Sequence, residues 1–140
     1  MNVNTQFSVA THVLVFLAKY NATPASSSYI ASSVGTNPVV IRKIVQKLER
    51  AGMVGSVPGS KGGLFLSRAA EEINLWDVFQ AVNGLQIFSV HETSHPQCPV
   101  GGKMRQLLTS SLEKAEFRLQ QELRQVSIKT CLNSLQETAT

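Results

Sequence analysis

Residues 28–54 constrain the fold more than any other stretch of the sequence. They predict a short helix, a turn at Gly35 and a second helix that starts at Pro38 with Asn37 as its N-cap. Gly35 can adopt the positive φ that ends a helix, and Gly52 is expected to stop the second one. Two helices joined by such a turn predict a helix-turn-helix.

The second of these helices has two different faces. Apolar residues at helical spacing predict its buried back, namely Ile41, Ile44, Val45 and Leu48. The opposite side carries Lys43, Gln46, Lys47 and Arg50. A helix with an apolar back and a cationic front can enter the major groove of DNA while its cations hold phosphates.

Two short apolar segments, residues 53–57 and 64–66, follow this helix and enclose a loop rich in Gly and Pro. This pattern predicts a β-hairpin, and directly after a recognition helix the hairpin is expected to be the wing of a winged helix. Gly62 and Gly63 also suit a phosphate-binding loop. The Walker pattern and its strand-loop-helix context are absent, so we favour the wing.

Two more helices are predicted to build the core around this unit. The first covers residues 5–20 and directs inward Phe7, Ala10, Val13, Leu14 and Leu17. The other covers residues 75–82 after the N-cap Asn74 and directs inward Leu75, Val78, Phe79 and Val82. We expect Trp76 to pack in the core and His12 to be a surface residue without a ligand role.

A long helix is predicted from about residue 103 to residue 126. Apolar residues at alternating spacings of three and four form one stripe along it: Met104, Leu108, Leu112, Ala115, Leu119, Leu123 and Val126. The predicted dimerisation residues are Leu108, Leu112, Ala115, Leu119 and Leu123. The alternative is that the helix folds back on its own domain. After Val126 the tail is polar and weakly patterned, and we assign it no role.

The predicted fold is therefore mainly α with a small β-hairpin. Residues 1–82 form the winged helix-turn-helix DNA-binding domain, residues 83–102 a connecting loop and residues 103–140 the dimerisation helix and tail. A formal charge of +4 favours a polyanionic partner such as DNA without requiring one. Two cysteines, no secretory signal and no run that could span a bilayer predict a soluble cytoplasmic protein.

The candidate DNA contacts lie on the second helix of the motif, just before the first helix of the motif, and on the wing. Val39 and Val40 could contact thymine methyl groups, while Arg42 and Lys43 could bind guanine or phosphate. The predicted DNA-binding set is Ser27, Asn37, Val39, Val40, Arg42, Lys43, Gln46, Lys47, Arg50, Ser60 and Lys61. For each cation taken alone, a solvated helix face is the simpler explanation.

No catalytic motif is present, and we expect no enzyme activity. The connecting loop does hold His91, His95 and Cys98, residue types that bind zinc or iron. A surface loop with an ordinary thiol is the favoured alternative to a metal site. Cys131, in the tail, is given no role.

Taken together, these segments resemble the Rrf2 family of winged-helix transcription regulators, the group that contains IscR, NsrR and CymR. The resemblance is carried by residues 30–31 and 37–43, by 48–54 after the recognition helix, by the glycines at 59, 62 and 63, and by 71–78. It implies a homodimer with crossed long helices, recognition helices in successive major grooves and wings at the minor groove. It also implies DNA contacts at Asn37, Val39, Val40, Arg42 and Lys43, with the wing around residues 58–61.

The chain departs from the family pattern in two places. Cluster-binding members carry three cysteines before the long helix, whereas this chain has only Cys98 there, so we expect no iron–sulfur cluster and no other cofactor. IscR-like wings carry an arginine where this chain has Pro58, and Lys61 could replace it. These features predict the cluster-free branch.

The sequence thus predicts a homodimeric transcription factor, a repressor, that binds a palindromic operator. Cys98 is its candidate sensor of oxidants or electrophiles, while a small-molecule effector stays undetermined. The alternative is a winged-helix protein-interaction module with weak nonspecific DNA binding. A small metal-binding protein that uses His91, His95 and Cys98 is the third hypothesis.

Overall fold

The computed structural model describes residues 3–84, 87–91, 95 and 97–138. Within these ranges the chain forms six helices, one short 3-10 turn at Ala70–Glu72 and one antiparallel pair of strands. The elements are α1 (Val3–Lys19), α2 (Ser27–Val34), α3 (Pro38–Arg50), β1 (Val54–Val57), β2 (Gly63–Leu66), α4 (Leu75–Asn83), α5 (Gly101–Arg124) and α6 (Ile128–Thr138). The predicted class, mainly α with a small β-hairpin, is confirmed.

The helix α1 lies at the centre of the core. It packs against α2, α3, α4, α6 and β2. Ala10, Val13, Leu14 and Leu17 are buried as predicted, and Phe7 packs edge-on against Phe79 with ring centroids 5.5 Å apart. The inward face predicted for the first helix is therefore confirmed.

Local hydrogen bonds define the helix-turn-helix. Gly35 follows α2 with φ 83°, a left-handed conformation that a residue with a Cβ adopts at a cost, and its N–H donates to the Ala31 carbonyl at 2.9 Å. Asn37 Oδ1 accepts from the Val40 N–H at 3.1 Å and so caps α3, with Pro38 as the first helical residue. The buried residues of α3 are the four predicted ones, Ile41, Ile44, Val45 and Leu48.

The predicted wing is the hairpin β1–β2, in which Val54 pairs with Leu66 and Val57 with Gly63. Ala25, just before α2, adds two hydrogen bonds to Leu64, of 2.7 and 3.0 Å. A Cβ at position 63 would lie 2.6 Å from the Ala25 carbonyl carbon, so only glycine permits this close approach. The wing is thereby attached to the segment that leads into α2.

The helix α4 confirms its predicted start and inward face. Asn74 Oδ1 accepts from the Asp77 N–H at 2.9 Å. Trp76 is buried and stacks on Phe79 with centroids 5.7 Å apart, as expected for a packing residue. The helix extends to Asn83, and the described residues between α4 and α5 form neither helix nor strand. None of the described helices combines the length and the apolar character needed to cross a membrane.

The segment after Val126 differs from its prediction as an unpatterned tail. It forms α6, in which Ile128 and Leu132 are buried and which packs against α1. The Ile128 N–H donates to the Ile73 carbonyl at 2.8 Å, and the Leu75 N–H donates to the Val126 carbonyl at 2.9 Å. Residues 128–138 therefore complete the core of the winged-helix domain.

Candidate nucleic-acid interface

The outer face of α3 forms one exposed ridge. Successive helical residues are rotated by about 100°, so Val39, Lys43, Gln46 and Arg50 line up opposite the buried back of the helix. All four are exposed, and Val39 is 53% exposed. Arg42, also exposed, flanks the ridge. Of the charged residues on α3, four are cations and one is the carboxylate Glu49.

The start of α3 is suited to contact DNA. Its cap, Asn37, is exposed, and Oδ1 of Asn37 is engaged with the Val40 N–H. The cap fixes the first turn, so that Val39 projects from a rigid backbone at the N-terminus of the helix. The helix dipole favours an anion such as phosphate at this end, and an apolar side chain can contact a thymine methyl group.

Two residues of the predicted set occupy different surroundings from those expected. Val40 is half-buried and packs against the hydrophobic core, so Val39 alone of the two valines stands clear of the domain. Lys47 is half-buried too. Its Nζ donates to Gln6 Oε1 at 2.8 Å and to the Val82 carbonyl at 3.2 Å. This ammonium therefore joins α3 to α1 and α4.

The wing and the start of α2 border a second polar surface. Ser60 and Lys61 are exposed, and they line a groove of about 520 Å³ together with Ser26 and Tyr29. Ser27, a predicted DNA contact, is the half-buried first residue of α2. Sequence reasoning missed Tyr29, which is 62% exposed. The signal available was an aromatic residue two positions after Ser27, on the first helix of the predicted helix-turn-helix.

The helix α5 carries the exposed apolar residues that a dimer contact requires. Of the predicted dimerisation residues, Leu108, Ala115 and Leu119 are exposed, whereas Leu112 and Leu123 are half-buried on the flank of the stripe. None of the described residues of α5 is fully buried. The sequence stripe missed Leu107 and Phe117, which are 61% and 59% exposed and lie outside it.

The connecting loop ends at Cys98, next to the start of α5. The Gly101 N–H donates to Cys98 Sγ at 3.4 Å. This hydrogen bond, with a smaller contribution from the Val100 amide, holds the pKa of the Cys98 thiol below its ordinary value. The thiol is fully exposed, so a larger fraction of reactive thiolate is accessible to solutes.

Cys131 has the opposite environment. It lies half-buried on α6, where burial raises the pKa of its thiol. Across the part of the chain that the structure describes, no three or more His, Cys, Asp or Glu side chains are grouped as metal ligands would be. His91, His95 and Cys98 belong to that part and are not brought together as a metal site.

The comparisons with known proteins agree with this geometry. The family model described as "Rrf2: Iron-dependent Transcriptional regulator" matches residues 3–134. YwnA of Bacillus subtilis strain 168, named as a candidate HTH-type transcriptional regulator, is 35% identical over 134 residues, which cover 95% of this chain and 98% of YwnA.

Solved structures have the same fold. IscR of T. potens superposes with a TM-score of 0.76 at 21% identity, over 100% of this chain and 92% of that one. CymR of B. subtilis, titled the global cysteine regulator, superposes with a TM-score of 0.66 at 17% identity, over 96% and 98%.

The word "iron-dependent" in the family description can be tested against the donor residues of this chain. Iron–sulfur clusters are held by four protein ligands, mostly thiolates. The sequence contains two cysteines, and they lie in different settings, one exposed before α5 and one half-buried on α6. The thiolate set does not fit a cluster.

With the exposed ridge of α3, the adjoining wing and the match over nearly the whole length, the chain belongs to the Rrf2 family of transcriptional regulators and has its DNA-binding winged-helix fold.

Proposed function

We propose that this protein is a homodimeric repressor that binds a palindromic operator through α3 and the wing. The observation that carries the proposal is the exposed ridge of α3, where Val39 and Lys43 lie near the start of the helix and Arg50 at its end, over a fully apolar back. A helix that reads bases in the major groove can use this arrangement, because the valine can contact a thymine methyl group while the cations bind guanine or phosphate.

The rest of the predicted interface is proposed to bind the DNA backbone. Arg42, Gln46 and Arg50 lie along or beside the ridge. Ser60 and Lys61 line the second groove, and Ser27 directly follows Ser26, which lines it as well. We leave Lys47 out of the proposed contacts because its ammonium is already bonded to Gln6 and Val82. Val40 is proposed to support the first turn of α3 and not to touch a base.

Pairing through α5 is the proposed route to the homodimer. Exposed Leu108 and Leu119 would leave a long apolar stripe in water in a monomer, and burial against a second copy removes that cost. A two-fold dimer presents two recognition helices and therefore matches a palindrome. Repression is what the resemblance to the family implies.

We further propose that the protein works without an iron–sulfur cluster and that Cys98 senses oxidants or electrophiles. The exposure of Cys98 and the lowered pKa of its thiol support the sensor role. The presence of only two cysteines in the sequence supports function without a cluster. If Cys98→Ala retains the same oxidant-dependent loss of DNA binding as the wild type, the sensor assignment is wrong. The predicted cytoplasmic location follows from DNA binding, because the regulator must share a compartment with its operator.

Selection of the purified protein against a randomised duplex library, at about physiological salt, tests the function. The expected result is a palindrome with half-site centres about one helical turn or a multiple of it apart. Recovery of no sequence would refute the operator-binding role and favour the protein-docking alternative.

Matched variants locate the contact surface. Arg42→Ala is expected to weaken binding about equally for all sequences and to reduce the salt slope by about 1, because Arg42 is assigned to phosphate. Lys114→Ala, on exposed α5, is the control and is expected to change neither. Equal losses in the two variants would show that bulk charge and not the α3 ridge provides the affinity.

A further inference from the structure

A large groove lies between α1 and α6. Its volume is about 630 Å³, within the range of small-molecule sites. Apolar side chains form most of its surface, among them Val15, Phe16 and Leu135. Its few polar groups belong to lining residues on α1, α2 and α6. This combination is typical of a site for a small organic ligand and not of a solvent channel.

The charge of the lining favours an anion. Lys19 and His12 both line the groove, and none of the lining residues is a carboxylate. The Lys19 ammonium lies 5.5 Å from the centroid of the Tyr20 ring. His12 Nε2 lies 2.9 Å from Ser33 Oγ, so one of these two atoms donates to the other. Hydroxyl donors are also at hand, since Thr130 lines the same groove.

The inner wall of the groove is aromatic. Phe16 and Tyr20 line it with ring centroids 4.8 Å apart and an interplanar angle of 52°. Phe16 is buried, whereas Tyr20 is 50% exposed, so the Tyr20 ring supplies most of the aromatic surface that a ligand can reach. Cys131 lines the groove as well, and the burial that raises its pKa keeps this thiol neutral at pH 7. We propose that the groove binds a small aromatic monocarboxylate, its ring against Phe16 and Tyr20 and its carboxylate at Lys19.

The same aromatic residues reach towards the wing. Phe16 also lies against Tyr29 of α2, with centroids 5.5 Å apart, and Phe16 and Tyr20 both line the second groove beside Ser60 and Lys61. A ligand that moves the Tyr20 ring therefore changes the surface next to the start of α2. We infer that occupancy alters DNA affinity, a step that rests on the proposed function.

Protection of Cys131 from alkylation tests binding independently of DNA. The probe is 2-naphthoate, with the neutral 2-naphthylmethanol as its matched analogue, and mass spectrometry follows alkylation of both cysteines. Saturating 2-naphthoate is expected to slow alkylation of Cys131 at least tenfold and to leave exposed Cys98 unchanged. Failure to protect Cys131, half-maximal protection by the alcohol at the same concentration as by 2-naphthoate, or equal slowing at Cys98 would each overturn the proposal.

Two variants check the assigned contacts. Lys19→Met keeps the aliphatic stem but removes the charge, and it is expected to weaken 2-naphthoate binding about threefold without affecting the alcohol. Lys114→Met on α5 is the control. Ser134→Trp places a large ring at an exposed lining position and is expected to abolish protection, whereas Asn133→Trp, exposed on the same helix and outside the lining, is not. Unchanged protection in Ser134→Trp would refute the site.

The DNA readout distinguishes failure of the site from failure of the function. If Cys131 is protected and the library yields no operator, the ligand site stands and the proposed function fails. If an operator is found and Cys131 is unprotected, the ligand site fails alone. With both present, 2-naphthoate is expected to change operator affinity at least threefold, and an unchanged affinity would overturn the coupling between them.

Discussion

Replacement of Ile128 by alanine tests the finding that α6 belongs to the core. Ile128 is fully buried where α6 meets α1 and the segment around Ile73. The change deletes three carbon atoms, which at about 0.8 kcal/mol per group corresponds to about 2.4 kcal/mol of lost transfer free energy. A residual cavity of about 50 Å³ would add about 1.2 kcal/mol. The better helix propensity of alanine returns about 0.4 kcal/mol.

The expected loss in the free energy of unfolding is therefore about 3 kcal/mol. Urea unfolding followed by circular dichroism measures it, at one fixed protein concentration because association contributes to the stability of a dimer. Asn133→Ala, at an exposed position of the same helix, is the control and is expected to stay within about 0.5 kcal/mol of the wild type. A loss below about 1 kcal/mol in Ile128→Ala would mean that α6 is not packed as described.

Three further predictions concern the turn, the two lysines of α3 and the two thiols. Gly35→Ala is expected to destabilise the protein by about 1 kcal/mol in urea unfolding, because φ is 83° while no atom lies within 4 Å of the new Cβ. Lys43→Ala should reduce the salt slope of DNA binding by about 1, whereas Lys47→Ala should leave it unchanged and cost about 1–2 kcal/mol of stability. Cys98 should be alkylated about tenfold faster than Cys131 at pH 7. The ratio of the two alkylation rates should fall towards pH 9, because the Cys131 thiol then ionises as well.

The sequence was sufficient for the helix-turn-helix because its determinants are local. Gly35 and the pair Asn37–Pro38 act within their own turn, and each adopts the predicted conformation. The buried back of α3 likewise follows from helical periodicity alone. These features predict where the recognition helix starts and which side of it faces outwards, so most of the candidate interface was accessible without coordinates.

The helix α6 was missed because its main partner, α1, lies more than 100 residues away in the chain. Ile128 and Leu132 are too few to stand out in a polar segment. A better signal lay in α1, where Val9, Val15 and Phe16 are buried in addition to the predicted inward face. A helix that is apolar nearly all round needs packing partners on several sides. The apolar character of α1 therefore indicated one more covering element than the prediction supplied.

Lys47 shows a second limit of periodicity. On a helical projection it lies near Lys43, and both appear to belong to one cationic face. The partners that separate them, Gln6 and Val82, are 41 and 35 residues away in sequence and come close only through packing of α1 and α4 on α3. Assignment of a cation to DNA thus requires the tertiary structure even when the helix that carries the cation is predicted correctly.

The return of the chain through α6 also limits how α5 can move. Beyond the end of α5, the carbonyl of Val126 and the N–H of Ile128 are bonded to Leu75 and Ile73 at the base of α4, and α5 packs on α4 itself. The far end of the long helix is thus fixed to the domain that carries α3, and α6 secures it against α1. In a dimer paired through α5, the separation of the two recognition helices is then set by packed secondary structure and not by a flexible tail. A rigid separation favours one half-site spacing over its neighbours. A ligand in the groove between α1 and α6 would act on the same elements that hold this separation.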